Sequence, residues 1–260
     1  AMLPRMSLSI DSIFLGIEDY GSWSFNIEPD VAGIELTSVD GSIRGISFKE
    51  ASLKWDYQNN RTSFANGLSI IDLGKALPLW GFAPGVETSS LAMNVDLSWP
   101  GSPLNVELFS TEGEVAIRAG AGRFLDEETS ANGLRLLSIF TPYAIMKRIN
   151  NFDFSDIVGE GMSFDSLSGT TRISYGELEF TQPLIVESRS STFEFGGKIS
   201  LIDDSLNNEM IVTLPVSKSL PWYGLYLALA NPVAGLGVVI GEQILRKPIE
   251  QFSSAKFQIE

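Results

Sequence analysis

A two-residue alternation of apolar and other side chains runs through most of the chain, and it limits the fold more than any other feature. In the clearest run, 91–99, every second residue is apolar: Leu91, Met93, Val95, Leu97 and Trp99. Successive side chains of a β-strand point to opposite faces, so this pattern predicts a strand with one buried face. Comparable runs occur at 6–10, 13–17, 23–27, 53–57, 193–201 and 210–214.

Short turn-forming pairs separate these runs. Examples are Asp40-Gly41, Asn59-Asn60 and Tyr175-Gly176. Gly, Asn and Asp are the residues that tight turns favour, and connections of this length join neighbouring antiparallel strands. The sequence therefore predicts roughly fourteen strands in an antiparallel meander with one apolar face and one polar face.

Helices are expected in only three places. A short helix is predicted at 71–80, where Asp72 can cap the first turn. An apolar stripe predicts an amphipathic helix at 133–150. The third place is an apolar pair of helices at 219–230 and 232–246.

The apolar pair has two interpretations. Residues 220–241 carry no charge, but Pro221 and Asn231-Pro232 interrupt the ~20 continuous apolar residues of a membrane-spanning helix, so we favour two short helices over a span. In the first interpretation the pair covers the edge of the last strand. In the second it contacts a membrane surface through interfacial aromatic, apolar and basic side chains. These membrane-contact candidates are Trp222, Tyr223, Leu225, Tyr226, Arg246 and Lys247.

Charge and composition exclude several classes of function. The 260 residues include 32 acidic and 18 basic side chains, a net charge of −14, which disfavours nucleic acid as a partner because phosphates require Lys and Arg. Histidine and cysteine are absent. Ser-His and Cys-His catalysis, thiol chemistry and the commonest zinc ligands are therefore missing. We expect no metal and no cofactor.

Paired carboxylates provide only weak enzyme candidates. Glu177 and Glu179 would lie on one face of a strand, but that face is the polar one, so a solvated surface explains them better than a glycosidase site. Asp153, Asp156 and Glu160 have a composition that suits calcium, but not the EF-hand spacing. We therefore expect a protein that is not an enzyme, and a glycan-active enzyme is the minor alternative.

The apolar content is high for an acidic chain. Mean hydropathy is +0.12, and only 19% of the residues are charged. This surplus requires a large core, a membrane, a partner or an apolar ligand.

The segment 153–169, with the sequence DFSDIVGEGMSFDSLSG, resembles the signature near the C-terminus of the YhdP family, large AsmA-like proteins of Gram-negative envelopes. Other segments that fit the family are 99–103, 122–125, 136–140, 212–215, 219–221 and 247–249. The resemblance therefore covers most of the chain and is most specific over 133–250.

The resemblance implies a fold and a function. Such proteins are anchored in the inner membrane by an N-terminal helix, which we do not expect within this chain, and cross the periplasm as a long curled β-sheet with an apolar groove. They are implicated in moving phospholipids to the outer membrane. We accordingly expect a mainly β fold, in which one long curved antiparallel sheet forms an apolar groove with a few covering helices. The expected divisions of this single unit are 1–132, 133–150, 151–217, 218–250 and 251–260.

The expected partners are phospholipid acyl chains in the groove and the inner leaflet of the outer membrane at the C-terminal helices. The groove candidates are Leu91, Met93, Val95, Leu97, Phe193, Phe195, Ile199 and Leu201. Two alternatives stay open. In the first alternative, helix 133–150 covers this face completely. In the second, the protein is a structural or chaperone-like envelope component that carries no lipid.

Overall fold

The computed structural model describes residues 4–81, 84–125, 162–189, 191–203, 205–215 and 252–259. Within them the chain is mainly β, as predicted, and its largest element is an antiparallel sheet of 12 strands. The strands of the first half are β1 Met6–Ile10, β2 Phe14–Leu15, β3 Glu18–Asp19, β4 Trp23–Pro29, β5 Gly33–Ile43, β6 Ile46–Asp56, β7 Arg61–Ile70, β8 Val86–Thr88 and β9 Leu91–Pro100. Those of the second half are β10 Glu112–Ala119, β11 Gly122–Phe124, β12 Met162–Phe164, β13 Ser166–Ser174, β14 Glu177–Glu187, β15 Thr192–Ser200, β16 Ser205–Pro215 and β17 Phe252–Ile259.

The sheet follows the chain almost without crossovers. Its order is β1-β4-β5-β6-β7-β9-β10-β13-β14-β15-β16-β17, and every neighbouring pair is antiparallel. Within the described residues β1 pairs only with β4 and β17 only with β16, so the sheet is not closed. This open meander is consistent with a groove.

Turn chemistry explains why neighbouring strands pair. The β5–β6 connection is Arg44-Gly45, and the β13–β14 connection is Tyr175-Gly176. Both residues of each pair have positive φ, between 45° and 83°, which is the backbone of the tight hairpin turns that match strand twist. In the β6–β7 turn, the Asp56 carboxylate accepts hydrogen bonds from the backbone N–H groups of Gln58 and Asn59.

Smaller elements lie at one end of the strands. The short strands β8, β11 and β12 form a three-stranded sheet, and β2 and β3 form a separate hairpin. The predicted short helix is confirmed as α1, Leu73–Leu79, and the carboxylate of its N-cap Asp72 accepts a hydrogen bond from the Lys75 N–H. The predicted helices at 133–150 and 219–246 lie outside the described residues. No helix in the described part of the chain is long and apolar enough to span a bilayer.

Gly113 in β10 is required by close backbone packing. Its φ is 143°, and a Cβ at this position would lie 2.0 Å from the carbonyl oxygen of Asp96 on β9. We therefore expect Gly113→Ala to lower the free energy of unfolding by about 2 kcal/mol or more, because the backbone must shift. Urea unfolding measures this effect. Gly85→Ala is the control, since nothing lies within 4 Å of its Cβ position, and a loss above ~0.5 kcal/mol there is not expected.

Candidate functional site

One face of the 12-stranded sheet carries continuous rows of apolar side chains. Residues directly opposite in antiparallel strands share a face, so the strand register defines these rows. The first row crosses nine strands through Ile43, Ile46, Ile70, Leu91, Ala119, Leu167, Val186, Phe193 and Val212. The second row crosses nine strands through Ile27, Leu36, Leu53, Phe64, Leu97, Gly113, Ile173, Leu178 and Ile199. We call this surface the apolar face.

On the first strands, a run of aromatic rings begins between these rows and ends at Phe64 of the second row. The indole of Trp23 lies over Gly41, where a Cβ would meet its ring at 2.4 Å. Its ring centroid is 5.2 Å from that of Phe48, and Phe48 is 6.2 Å from Phe64 in an edge-to-face contact. A glycine on the neighbouring strand therefore makes room for a run of three rings across β4, β6 and β7.

Burial changes along the rows. The second-row residues on β4–β9 are all partly exposed, and we call them the open segment: Ile27, Leu36, Leu53, Phe64 and Leu97. On β13–β16 ten apolar side chains are at most 9% exposed, and we call these the closed segment: Leu167, Ile173, Leu178, Leu184, Val186, Phe193, Phe195, Ile199, Met210 and Val212. The same apolar face is thus accessible at one part of the sheet and filled by protein at another.

The small sheet of β8, β11 and β12 contributes to the cover of the closed segment. Phe124 and Phe164, whose rings are 5.0 Å apart, belong to the same buried cluster as Phe193 and Phe195. Val86 on β8 packs against this cluster. Because β8, β11 and β12 immediately adjoin β9, β10 and β13 in sequence, the chain places its own side chains over the end of these strands.

The groove candidates divide between the two segments. The five apolar residues of 91–99 lie on one strand, β9, and on one face, as predicted. Leu91, Met93 and Leu97 are partly exposed, whereas Val95 is buried. On β15 and just after it, Phe193, Phe195, Ile199 and Leu201 are buried, at most 8% exposed. The membrane-contact candidates Trp222, Tyr223, Leu225, Tyr226, Arg246 and Lys247 lie outside the described residues.

The opposite face is polar and charged. One row crosses five strands through Asp96, Glu114, Arg172, Glu179 and Lys198. Glu179 forms an ion pair with Lys198 at 3.4 Å. Arg61 pairs with Glu112 and donates a hydrogen bond to Ser98. The glycosidase candidates Glu177 and Glu179 both lie on this face, and Glu179 is the one that pairs with Lys198.

Metal ligands are likewise not grouped in the described ranges. No cluster there of three or more Asp or Glu side chains could hold a metal ion. The calcium candidates at 153–160 lie outside these ranges.

An open antiparallel sheet of this length with one continuous apolar face places the chain among β-groove proteins. A family model described as "YhdP protein" matches residues 1–260, and the chain belongs to this family, as the sequence motifs indicated. Among curated proteins, "Intermembrane phospholipid transporter YhdP" of Escherichia coli (strain K12) is 28% identical over 235 residues, 88% of this chain. The match spans 18% of that protein's length. No solved structure matches the chain.

The sequence candidates missed Leu36 and Phe64 of the open segment and the neighbouring ring of Phe48. Two of these strands change alternation at irregular positions. In β5 the pairing shifts between Leu36 and Val39, and in β6 it shifts between Lys49 and Ser52. A bulge of this kind moves the apolar positions from even to odd numbers within one strand. A search for alternating apolar residues that permits one switch from even to odd positions would have identified these strands.

Proposed function

We propose that this chain is part of a bridge that conducts phospholipids between the inner and outer membranes, with acyl chains lying against the apolar face. One observation carries the proposal: two apolar rows each cross nine strands without interruption by a charge, and the β4–β9 part of the second row remains partly exposed. The similarity to the intermembrane phospholipid transporter of Escherichia coli supports it. A periplasmic location follows from the same proposal.

The physical basis is the burial of hydrocarbon. Each methylene moved from water onto an apolar surface contributes ~0.8 kcal/mol. Adjacent strands lie ~4.8 Å apart and offer similar side chains, so a lipid moving along the row exchanges one apolar contact for another. Apolar contacts discriminate poorly between ligands, so little selectivity among acyl chains is expected.

The C-terminal candidates extend this proposal. Trp222, Tyr223 and Tyr226 have the residue types of an interfacial belt, and Arg246 and Lys247 suit lipid phosphates. We place them at the inner leaflet of the outer membrane.

Native mass spectrometry of the purified chain tests the proposal. After incubation with vesicles of phosphatidylethanolamine and phosphatidylglycerol, we expect protein carrying one or more phospholipids, and lipid extraction should recover both headgroups. A chain that stays free of lipid contradicts the proposal. It would favour the structural or chaperone-like alternative, which the filled closed segment around Phe193 and Phe195 supports.

A further inference from the structure

Exposed apolar side chains collect on the connections at one end of the strands. These connections are 30–32, 57–60, 101–111, 175–176 and 201–203, and we call them the turn rim. Seven large apolar residues are exposed there: Val31, Tyr57, Leu104, Val106, Phe109, Tyr175 and Ile202. Leu104 is 93% exposed, and Ile202 is 68% exposed. Neither the apolar face nor the polar face of the sheet contains these residues.

The turn rim is a continuous surface. Backbone hydrogen bonds join its neighbouring connections, from Tyr57 to Ala32 at 2.8 Å, from Gly101 to Asn60 at 2.7 Å and from Leu201 to Gly176 at 2.9 Å. A Cβ on Gly176 would lie 2.8 Å from the Phe109 ring and 3.1 Å from the Ile202 side chain, so these two side chains lie over the turn next to Tyr175. With strands ~4.8 Å apart, five connections across ten strands span roughly 40 Å.

A group of exposed apolar side chains on one surface needs an explanation, whereas single exposed residues do not. Isolated apolar side chains are ordinary on protein surfaces, but a contiguous patch marks an interaction site. The opposite end of the strands also has exposed apolar residues: Ile13, Phe14, Ile17, Ile71, Leu79 and Trp80. In sequence that end adjoins 126–161 and 216–251, which lie outside the described residues. The connections that form the turn rim are themselves described, and their exposed side chains lie next to one another along the ends of the strands.

The charges beside the rim indicate what it binds. The rim and the strand ends next to it carry six carboxylates: Asp30, Asp56, Glu107, Glu112, Glu177 and Asp203. The same segments carry one basic side chain, Arg61, which is paired with Glu112. This charge disfavours a second copy of the chain, because like charges would meet, and it disfavours an anionic bilayer. It favours a surface whose apolar side chains are bordered by Lys and Arg.

We propose that the turn rim is a docking surface for a protein partner with an apolar, basic-bordered surface. Tyr and Phe are enriched in protein interfaces, and charged groups at the periphery give steering and register. Because the turn rim crosses the ends of successive strands, the partner lies along this end of the sheet and leaves the apolar face uncovered. The inference does not depend on lipid conduction.

Site-specific photo-crosslinking in cells of the source organism tests this surface. A p-benzoyl-phenylalanine residue in the parent protein replaces Leu104 or Ile202, and Ile17 at the other end is the control. We expect both rim positions to give an adduct with the same protein, absent at Ile17, and the crosslinked peptide of that protein to contain apolar residues flanked by Lys or Arg. Adducts with lipid or a second copy, no adduct, or a crosslinked peptide without basic residues overturn the proposal.

Binding of the identified partner provides the second measurement. Leu104→Ser/Val106→Ser should weaken its affinity for the purified chain at least tenfold, because interface energy is concentrated in a few apolar anchors. Both side chains are exposed, so the variant should retain the parent's melting temperature. Ile17→Ser should change the affinity less than twofold. Equal affinities of parent and Leu104→Ser/Val106→Ser contradict the docking surface, even if lipid binding is intact.

Discussion

Replacing Phe64 by aspartate is expected to remove at least nine-tenths of the phospholipid that co-purifies with the chain. Phe64 lies in the open segment between Leu53 and Leu97 and remains partly exposed. A carboxylate there would be desolvated by a bound acyl chain, at a cost of several kcal/mol, and ~1.4 kcal/mol already corresponds to a tenfold loss of affinity. The lipid-to-protein ratio after extraction measures the effect.

Ser63→Asp is the matched control. Ser63 is the neighbouring residue of the same strand, so its side chain points to the polar face, in the row with Lys54 and Ser98. Both variants add one negative charge to β7, but only Phe64→Asp places it on the apolar face. Full lipid occupancy in a folded Phe64→Asp protein would show that the open segment does not hold lipid. Equal loss in both variants would indicate an effect of net charge instead.

Local patterns predicted much of the sheet. Strand β9 occupies the run 91–99 with the expected face, and α1 begins after its predicted N-cap Asp72. Both depend on interactions within a few residues, which the sequence displays directly. The alternation at 13–17 predicted one continuous strand. This prediction was wrong, because Gly16 has a φ of 67° and turns the chain into the short β2–β3 hairpin. Only the backbone distinguishes that turn from a continuing strand.

Burial along the apolar face could not be predicted in the same way. Phe64 and Phe193 both lie on the apolar face, but Phe64 is partly exposed and Phe193 is 0% exposed. The difference arises from side chains far away in sequence, since Phe124 and Phe164 join the cluster around Phe193. Alternation identifies which face is apolar, whereas the cover of that face depends on long-range packing that no local pattern encodes.

Phe193→Ala should accordingly lower the free energy of unfolding of the delipidated chain by about 3–5 kcal/mol, the usual loss when a fully buried Phe is truncated. Phe64→Ala should cost clearly less, because a partly exposed ring has less burial to lose. Urea unfolding of both variants, with and without phospholipid, measures these differences. Phe124→Ala is measured alone and together with Phe193→Ala, because the two rings belong to the same buried cluster.

Combining Phe193→Ala with Phe124→Ala distinguishes a permanent core from a site that lipid can enter. If protein alone fills the closed segment, Phe193→Ala and Phe124→Ala should be non-additive, because both enlarge one cavity, and added phospholipid should leave their costs unchanged. If acyl chains enter this part of the face, bound lipid should recover a measurable share of the Phe193→Ala loss, since a ligand that binds the folded state stabilises it. A cost below ~1 kcal/mol without lipid would contradict the packed cluster itself, because a 0% exposed Phe then contributes almost nothing to holding β15 against its neighbours.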